Sequence, residues 1–189
     1  YNKMYFVLLF IYVVTVLSSP KTVNELDIEK YTGLWYQMYA DSIVYSTFEK
    51  NSFCDTATYT IIEDGNIGVH NYAKIGTPNG SDYTIDGYAY IVDYNTPGQL
   101  KVHFDSADAS IVDAPYWILA LGPVNDDNLY DWSIVSDNIS QFLFVLARNV
   151  DEFNKKYNEE ILHTLNQLGF IGRKQPISTY QSNDCVYES

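Results

Sequence analysis

Cys54 and Cys185 are the only cysteines of the 189-residue chain, and their thiols are the first groups in it that could do chemistry. An even number of cysteines without C-x-x-C spacing favours one disulfide in an oxidising compartment. Such a bridge would tie the C-terminal tail to the start of the second predicted strand, and over this span it would stabilise the fold by on the order of 4 kcal/mol. Two free buried thiols are the alternative.

Other reactive groups lack the spacing that catalysis or metal binding needs. His70, His103 and His163 are scattered along the chain, so we interpret them as solvent-exposed residues and predict no metal site. The sequence contains no G-x-S-x-G, H-E-x-x-H or phosphate-binding glycine motif. The pattern therefore favours a binding protein without a catalytic cofactor over an enzyme.

An aromatic residue and a distant cation could close one end of the fold. Gly33 and Trp35 begin the first β-prone stretch, and Arg148 ends the last one. A partly desolvated guanidinium stacked on an indole ring contributes about 1 to 2 kcal/mol. If Arg148 points inward at the closed end, we expect its guanidinium to stack on Trp35.

The elements that would position these residues are mainly β-strands, because apolar residues alternate with period two between turns rich in Gly, Pro, Asn and Asp. Eight strands are predicted at 34–39, 55–63, 67–75, 83–93, 100–105, 116–121, 130–136 and 141–148. Eight antiparallel strands joined by short turns close into an up-and-down barrel wide enough for one small ligand. The apolar spacing becomes helical over 150–169, which predicts a C-terminal α-helix packed on this all-β barrel, and 176–180 predict a short ninth strand.

Three sequence blocks, in this order, resemble the signature blocks of the lipocalins. The first is Gly-Leu-Trp-Tyr at 33–36, the second is 114–120 with 128–135, and the third is the strand that ends at Arg148. The amino-acid sequence of these blocks is most similar to apolipoprotein D-like and bacterial outer-membrane lipocalins, and the resemblance covers about residues 26–186. The resemblance implies an eight-stranded barrel that carries a small hydrophobic molecule, and a disulfide in the place of Cys54 and Cys185.

Strand alternation assigns the side chains that face the barrel interior. If Arg148 points inward, alternation assigns the inward-facing side chains of the last strand and of the first. On the other strands, charged residues that should face water assign the outer face, and the residues between them face inward. The predicted ligand-binding wall is apolar and aromatic with a few polar groups: Gln37, Tyr39, Tyr59, Asn71, Gly87, Ala89, Phe104, Phe144 and Leu146. Small Gly87 and Ala89 would leave space in it. The alternative is a barrel that its own side chains fill completely.

The first residues and the turns predict secretion. Residues 1–18 are typical of a secretory signal, with an uncharged apolar run from Met4 to Leu17 that is too short to span a bilayer comfortably. A transmembrane anchor is the lesser alternative. We expect cleavage after Ser18, a translated leader at 1–3 and one domain over 19–189. Asn79 and Asn138 begin glycosylation sequons at predicted turns.

Composition limits the partners. The formal net charge is −13 and the isoelectric point is near 4.3, which argues against nucleic acid or an anionic membrane surface. No integral membrane span is expected. Besides the ligand, a second copy of the chain or a cell-surface receptor would be the partners to look for.

The sequence thus predicts an extracellular carrier of a small hydrophobic ligand such as a fatty acid, sterol, retinoid or pheromone. A pigment protein carrying a bilin or carotenoid is the alternative, because tyrosine-rich walls and Asn71 also suit the polar edge of a tetrapyrrole. An enzyme is the third hypothesis, since a few lipocalins use a pocket cysteine as isomerases. The predicted disulfide disfavours it.

Overall fold

Nine strands and four short helices are found in the computed structural model, which describes residues 19–105 and 113–188. The strands are β1 Gly33–Ala40, β2 Ser52–Ile61, β3 Ile67–Ile75, β4 Ser81–Ile91, β5 Gln99–Phe104, β6 Ala114–Leu121, β7 Trp132–Ser136, β8 Leu143–Ala147 and β9 Ile177–Ser178. The helices are α1 Ile28–Tyr31, α2 Ser42–Ser46, α3 Val150–Glu152 and α4 Asn158–Gln167, with a π-helical turn at Phe153–Tyr157 and 3₁₀ turns at Glu63–Gly65 and Gly172–Lys174. The predicted signal segment, 1–18, lies outside the described residues.

The sheet closes on itself into an antiparallel barrel. Strands β2 to β7 each pair with the next strand in sequence, and β1 pairs with both β8 and β2. The predicted eight-stranded up-and-down barrel with a short extra strand is confirmed.

Two hydrophobic cores lie on the two faces of this sheet, because successive residues of a strand point to opposite sides. The inner core fills the closed end of the barrel and includes Trp35, Leu100 and Ile118. The outer core lies between the sheet and the C-terminal helical segment. Its helical members recur every four residues and are Phe153, Tyr157, Ile161 and Leu165. The predicted packing of this helix on the barrel wall is confirmed.

The two ends of the barrel are covered by different segments. At the closed end the N-terminal segment crosses the barrel, where the Val23 amide donates to the Ile118 carbonyl at 3.0 Å. At the open end α2 lies in the connection between β1 and β2. Its first turn forms because the Asp41 carboxylate accepts hydrogen bonds from the amides of Ile43 and Val44.

A gap between β1 and β2 near the open end is filled by the C-terminal segment. The two strands pair only from Gly33↔Tyr59 to Tyr36↔Thr56, and beyond this point β1 pairs with β9 instead. The carboxamide nitrogen of Gln181 donates to the carbonyls of Gln37 at 3.1 Å and Asp55 at 2.7 Å, so it bridges both strands. This filled gap is called the seam below.

A disulfide fixes the seam. It joins Cys54 in β2 to Cys185, with their Cα atoms 5.7 Å apart, and it confirms the predicted pairing. The described part of the chain holds no free cysteine. The bridge therefore anchors the C-terminal segment to the barrel wall.

Candidate ligand-binding site

The closed end is built around Arg148. Its guanidinium carbon lies 3.4 Å from the centroid of the Trp35 ring, which is fully buried. Its nitrogens donate to three carbonyls, those of Leu34 at 2.7 Å, Tyr130 at 3.1 Å and Lys30 at 3.3 Å. The predicted stacking of Arg148 on Trp35 is confirmed, and these carbonyls hold the cation in place.

Gly33 makes room for that cation. It has a φ of +91°, a conformation that L side chains rarely adopt, and a Cβ at this position would lie 3.3 Å from Nη1 of Arg148. Burial lowers the pKa of Arg148 to about 10, which leaves it charged at neutral pH. The closed end is therefore a plug in which a buried charge has its partners.

Above the plug, three tyrosine hydroxyls meet inside the barrel. Tyr116 lies 2.8 Å from the hydroxyl of Tyr31 and 3.0 Å from that of Tyr59, and Tyr31 also contacts Ser133 at 3.0 Å. Burial raises the pKa of Tyr59 to about 12 and raises the pKa of both other tyrosines, so all three stay neutral. These residues form a polar floor beneath the apolar wall.

The sequence predicted only Tyr59 of this floor. Tyr116 could have been found from alternation, because it stands opposite inward-facing Leu100 in the pairing of β5 with β6. Tyr31 belongs to α1, so strand alternation carries no information about it.

Most of the predicted wall residues do face the interior. Tyr59, Ala89, Phe104, Phe144 and Leu146 belong to the inner core or pack against it. Asn71 lies opposite Ala57, and Gly87 lies opposite Val69, so both share that inner face. Gln37 lies opposite Leu146 and also points inward. Their roles in ligand binding remain a proposal, which is taken up below.

Position 87 requires glycine for a different reason from the one predicted. A Cβ at this position would lie 2.0 Å from the carbonyl oxygen of His103 in β5, so no other residue fits without moving the backbone. The close approach of β5, rather than open space in the wall, therefore requires glycine here.

The predicted inward orientation of Tyr39 is wrong. Its hydroxyl donates to Oδ1 of Asn158 at 2.5 Å, and its ring lies 6.2 Å from that of Phe153, so it packs in the outer core. A β-bulge explains the difference, because the register of β1 against β8 shifts between Gln37 and Tyr39. The extra residue, Met38, puts two successive side chains on the outer face.

Exposure changes along the barrel axis. At the closed end the inward-facing Trp35, Leu100 and Ile118 are completely buried. Toward the open end the inward-facing Phe104 and Phe144 are only partly buried. The inner wall therefore keeps accessible aromatic surface toward the open end.

The remaining predicted sites lie on the outer surface. Asn79 and Asn138 are exposed in turns at the open end, and their glycosylation stays a prediction.

His70 contacts Asp86 at 2.5 Å and Glu188 at 2.6 Å. Within residues 19–105 and 113–188, no group of three or more His, Cys, Asp or Glu side chains is arranged to hold a metal ion. Among the helices of these residues, none combines the length and apolarity of a membrane span.

Comparison with known proteins agrees with this architecture. The family model of the lipocalin-like domain matches residues 26–175, and the chain belongs to the lipocalin family. This is a fold that binds small hydrophobic ligands, and its members are generally binding and transport proteins.

Mouse apolipoprotein D is 32% identical over 136 residues, which cover 69% of this chain and 65% of that protein. The rat protein is 36% identical over 102 residues, 54% of this chain and 49% of that protein. The chain thus matches less than two thirds of the length of either relative.

A solved structure with a similar fold is insecticyanin from the tobacco hornworm Manduca sexta, with a TM-score of 0.65 and 21% identity over 89% of this chain and 88% of that one. Another is japanin from Rhipicephalus appendiculatus bound to cholesterol, with a TM-score of 0.56 and 14% identity. The match covers 85% of this chain and 100% of japanin. At these identities the likeness concerns the fold alone.

Proposed function

We propose that this protein is an extracellular carrier that binds one small hydrophobic molecule inside the barrel. The observation that carries the proposal is the difference in exposure along the barrel axis. Inner side chains are fully buried at the plug, while the aromatic Phe104 and Phe144 keep accessible surface toward the open end. An apolar, concave wall with a few polar groups suits a hydrophobic ligand.

The chemistry of the wall supports this proposal. The inner wall presents apolar surface from Phe144, Leu146 and Ala57. Asn71 and the tyrosine floor offer hydrogen bonds to a polar group of the ligand. A fatty acid, a sterol or a retinoid has this combination of a large apolar body and one polar end. That japanin is bound to cholesterol supports a sterol as one ligand to test.

The disulfide supports an extracellular location. Disulfides form and persist mainly in oxidising compartments, and the Cys54–Cys185 bridge anchors the segment that fills the seam. The predicted signal at 1–18, the two sequons and a partner such as a receptor or a second copy remain part of the proposal.

A dye-binding experiment tests the carrier function. An environment-sensitive hydrophobic dye should bind the purified protein and be displaced by a fatty acid or sterol. Phe144→Ala should change the affinity several-fold, because the ring lines the accessible half of the barrel. Tyr94→Ala is the matched control, since Tyr94 is 80% exposed between β4 and β5 at the closed end, and it should leave the affinity unchanged.

The opposite outcome is also well defined. If the barrel is filled, the wild-type protein should bind no dye, and Phe144→Ala should cost the roughly 3 to 5 kcal/mol of a core Phe→Ala change. That combination would contradict the carrier function.

A pigment-binding role is the second candidate, because inward-facing Asn71 and the tyrosine floor could also contact the polar edge of a bilin. Protein from its native source would then show a visible absorption band. A colourless native protein that does not bind added bilin or carotenoid would exclude this role.

A further inference from the structure

Asp55 is a buried carboxylate with an unused oxygen. It stands on β2, close enough to Glu49 for the two carboxyl groups to repel each other, and Glu49 accepts a hydrogen bond from the inward-facing Gln37. The residue is 6% exposed, and its Oδ2 atom is enclosed without a hydrogen-bond partner. A buried carboxylate oxygen without a partner is costly, which indicates that a partner outside the chain belongs here.

A β-bulge produces this placement. The register of β2 against β3 shifts between Phe53 and Thr56, and Cys54 has a φ of +58°. Because the disulfide holds Cys54 to the C-terminal segment, the bulge is fixed in place, and Asp55 lies within it.

A second carboxylate, Glu49, shares the site. Its Oε2 accepts from the inward-facing carboxamide of Gln37 at 2.6 Å. Burial and then repulsion from Asp55 raise the pKa of Glu49, and burial raises the pKa of Asp55, although the Ser52 hydroxyl partly offsets this second shift. Asp41 adds to the negative field at Glu49. The two carboxyl groups therefore lie close together.

Hydroxyl groups complete the site. Tyr45 lies 2.6 Å from the Thr179 hydroxyl, which also accepts from Gln37 at 3.2 Å. In the described part of the chain no ion pair involves Glu49 or Asp55. The group formed by Gln37, Tyr45, Glu49, Asp55 and Thr179, called the acid site below, thus has acceptors and negative charge but no cation of its own.

We infer that the acid site binds the protonated amine of an amphiphilic ligand whose apolar body lies along the barrel wall. An ammonium group supplies three donors and one positive charge, which match the free oxygen of Asp55, the carboxylate of Glu49 and the neighbouring hydroxyls. Leu146, directly opposite Gln37, and Phe144 continue the wall from the site in apolar form. This inference rests on the proposed carrier function and specifies the class of ligand.

Other polar ends fit less well. A ligand carboxylate would be repelled by Glu49 and Asp55. A neutral alcohol supplies only one donor, so it would leave the negative charge of the site uncompensated. The structure therefore favours an amine over the acid or the alcohol with the same chain.

Three ligands of equal chain length test this order. Decylamine, decanol and decanoic acid, each below its aggregation concentration, compete with the hydrophobic dye at neutral pH. We expect decylamine to bind at least about tenfold more tightly than decanol, since one charge-assisted hydrogen bond corresponds to about this factor.

Calorimetry in buffers of different ionisation enthalpy should show proton release with decylamine alone, because the amine displaces protons from the carboxyl pair.

Isosteric variants locate the effect. Asp55→Asn and Glu49→Gln should each weaken decylamine about tenfold and leave decanol unchanged, because each removes a carboxyl group that is ionised in the decylamine complex without changing the shape of the side chain. Glu63→Gln, at an exposed position near the closed end, is the matched control and should change neither affinity.

The outcomes separate the two proposals. Equal affinity of wild-type protein for decylamine and decanol would overturn the amine site while leaving the carrier function in place, and this comparison needs no variant. Unchanged decylamine binding in both folded variants would also overturn it. Failure of the dye and of all three ligands to bind would instead overturn the carrier function itself.

Discussion

At the closed end of the barrel one buried cation, Arg148, has an aromatic ring and three carbonyls as partners. At the open end two carboxylates, Glu49 and Asp55, repel each other, and one of their oxygens has no partner. The first arrangement stabilises the folded chain, whereas the second destabilises it until a ligand or a proton arrives. The difference indicates that the closed end serves the fold and that the open end serves binding.

Replacing the ring of the plug should have the largest effect. Trp35→Ala is expected to lower the free energy of unfolding by about 3 to 5 kcal/mol, because a fully buried indole and its contact with Arg148 are lost. Urea denaturation measures the change. Tyr94→Ala, at a ring that is 80% exposed, is the control and should stay within about 0.5 kcal/mol of wild type. Equal midpoints for Trp35→Ala and wild type would show that the plug is not what stabilises the closed end.

Removing the disulfide tests the open end. The double change Cys54→Ser and Cys185→Ser should cost about 2 to 4 kcal/mol, because the C-terminal segment is no longer tied to β2. Hydrogen exchange should show faster exchange of the Thr179 amide, which donates to the Met38 carbonyl across the seam. Wild-type protein with its disulfide intact is the control. Unchanged exchange would mean that β9 holds the seam without the bridge.

Removing only the cation of the plug should have a smaller effect than removing the ring. Arg148→Ala should cost about 2 to 3 kcal/mol, and Arg148→Lys somewhat less, since an ammonium keeps the charge but cannot donate in the planar geometry of a guanidinium. Dye affinity should stay at the wild-type value because the plug lies below the accessible half of the barrel. A parallel loss of dye binding would show that the two ends do not act separately.

Acid should stabilise the open end, because two buried carboxyl groups there have raised pKa values. Because the pKa values of Glu49 and Asp55 are raised in the folded protein, each group keeps its proton at pH values where the same group is ionised in the unfolded chain. The ordinary pKa values are 4.5 for Glu and 3.8 for Asp. The free energy of unfolding should therefore rise as the pH falls from neutral through the raised values toward about 4.5.

The double variant Glu49→Gln and Asp55→Asn isolates this contribution. His70 also has a raised pKa, because of Asp86 and Glu188, so part of the slope will remain in the variant. The lowered pKa values of exposed carboxylates such as Asp82 act only below their ordinary value of 3.8, outside this window. Identical pH profiles for wild type and the double variant would remove the contrast between the two ends.

Sequence reasoning succeeded where one signal repeats along the chain. Period-two alternation predicted the strands, and helical spacing predicted the segment that packs on the barrel at Ile161 and Leu165. It failed at Tyr39, because a single bulged residue reverses the alternation that follows it.

The acid site shows the same limit. The sequence reasoning placed Gln37 correctly but missed Glu49 and Asp55, because neither belongs to a motif. They come together only when α2 and its following turn fold over the open end. No spacing in the sequence encodes that distance.

What the sequence determined by itself is what neighbouring residues or a unique pair specify: the alternating strands, the terminal helix, and the disulfide between the only two cysteines. What only the tertiary structure decided is how the barrel closes. Strand register around the barrel leaves β1 and β2 unpaired near the open end, so β9 fills the seam and Thr179 reaches the acid site. Closure depends on the sum of register shifts over all eight strands, and local patterns do not contain that sum.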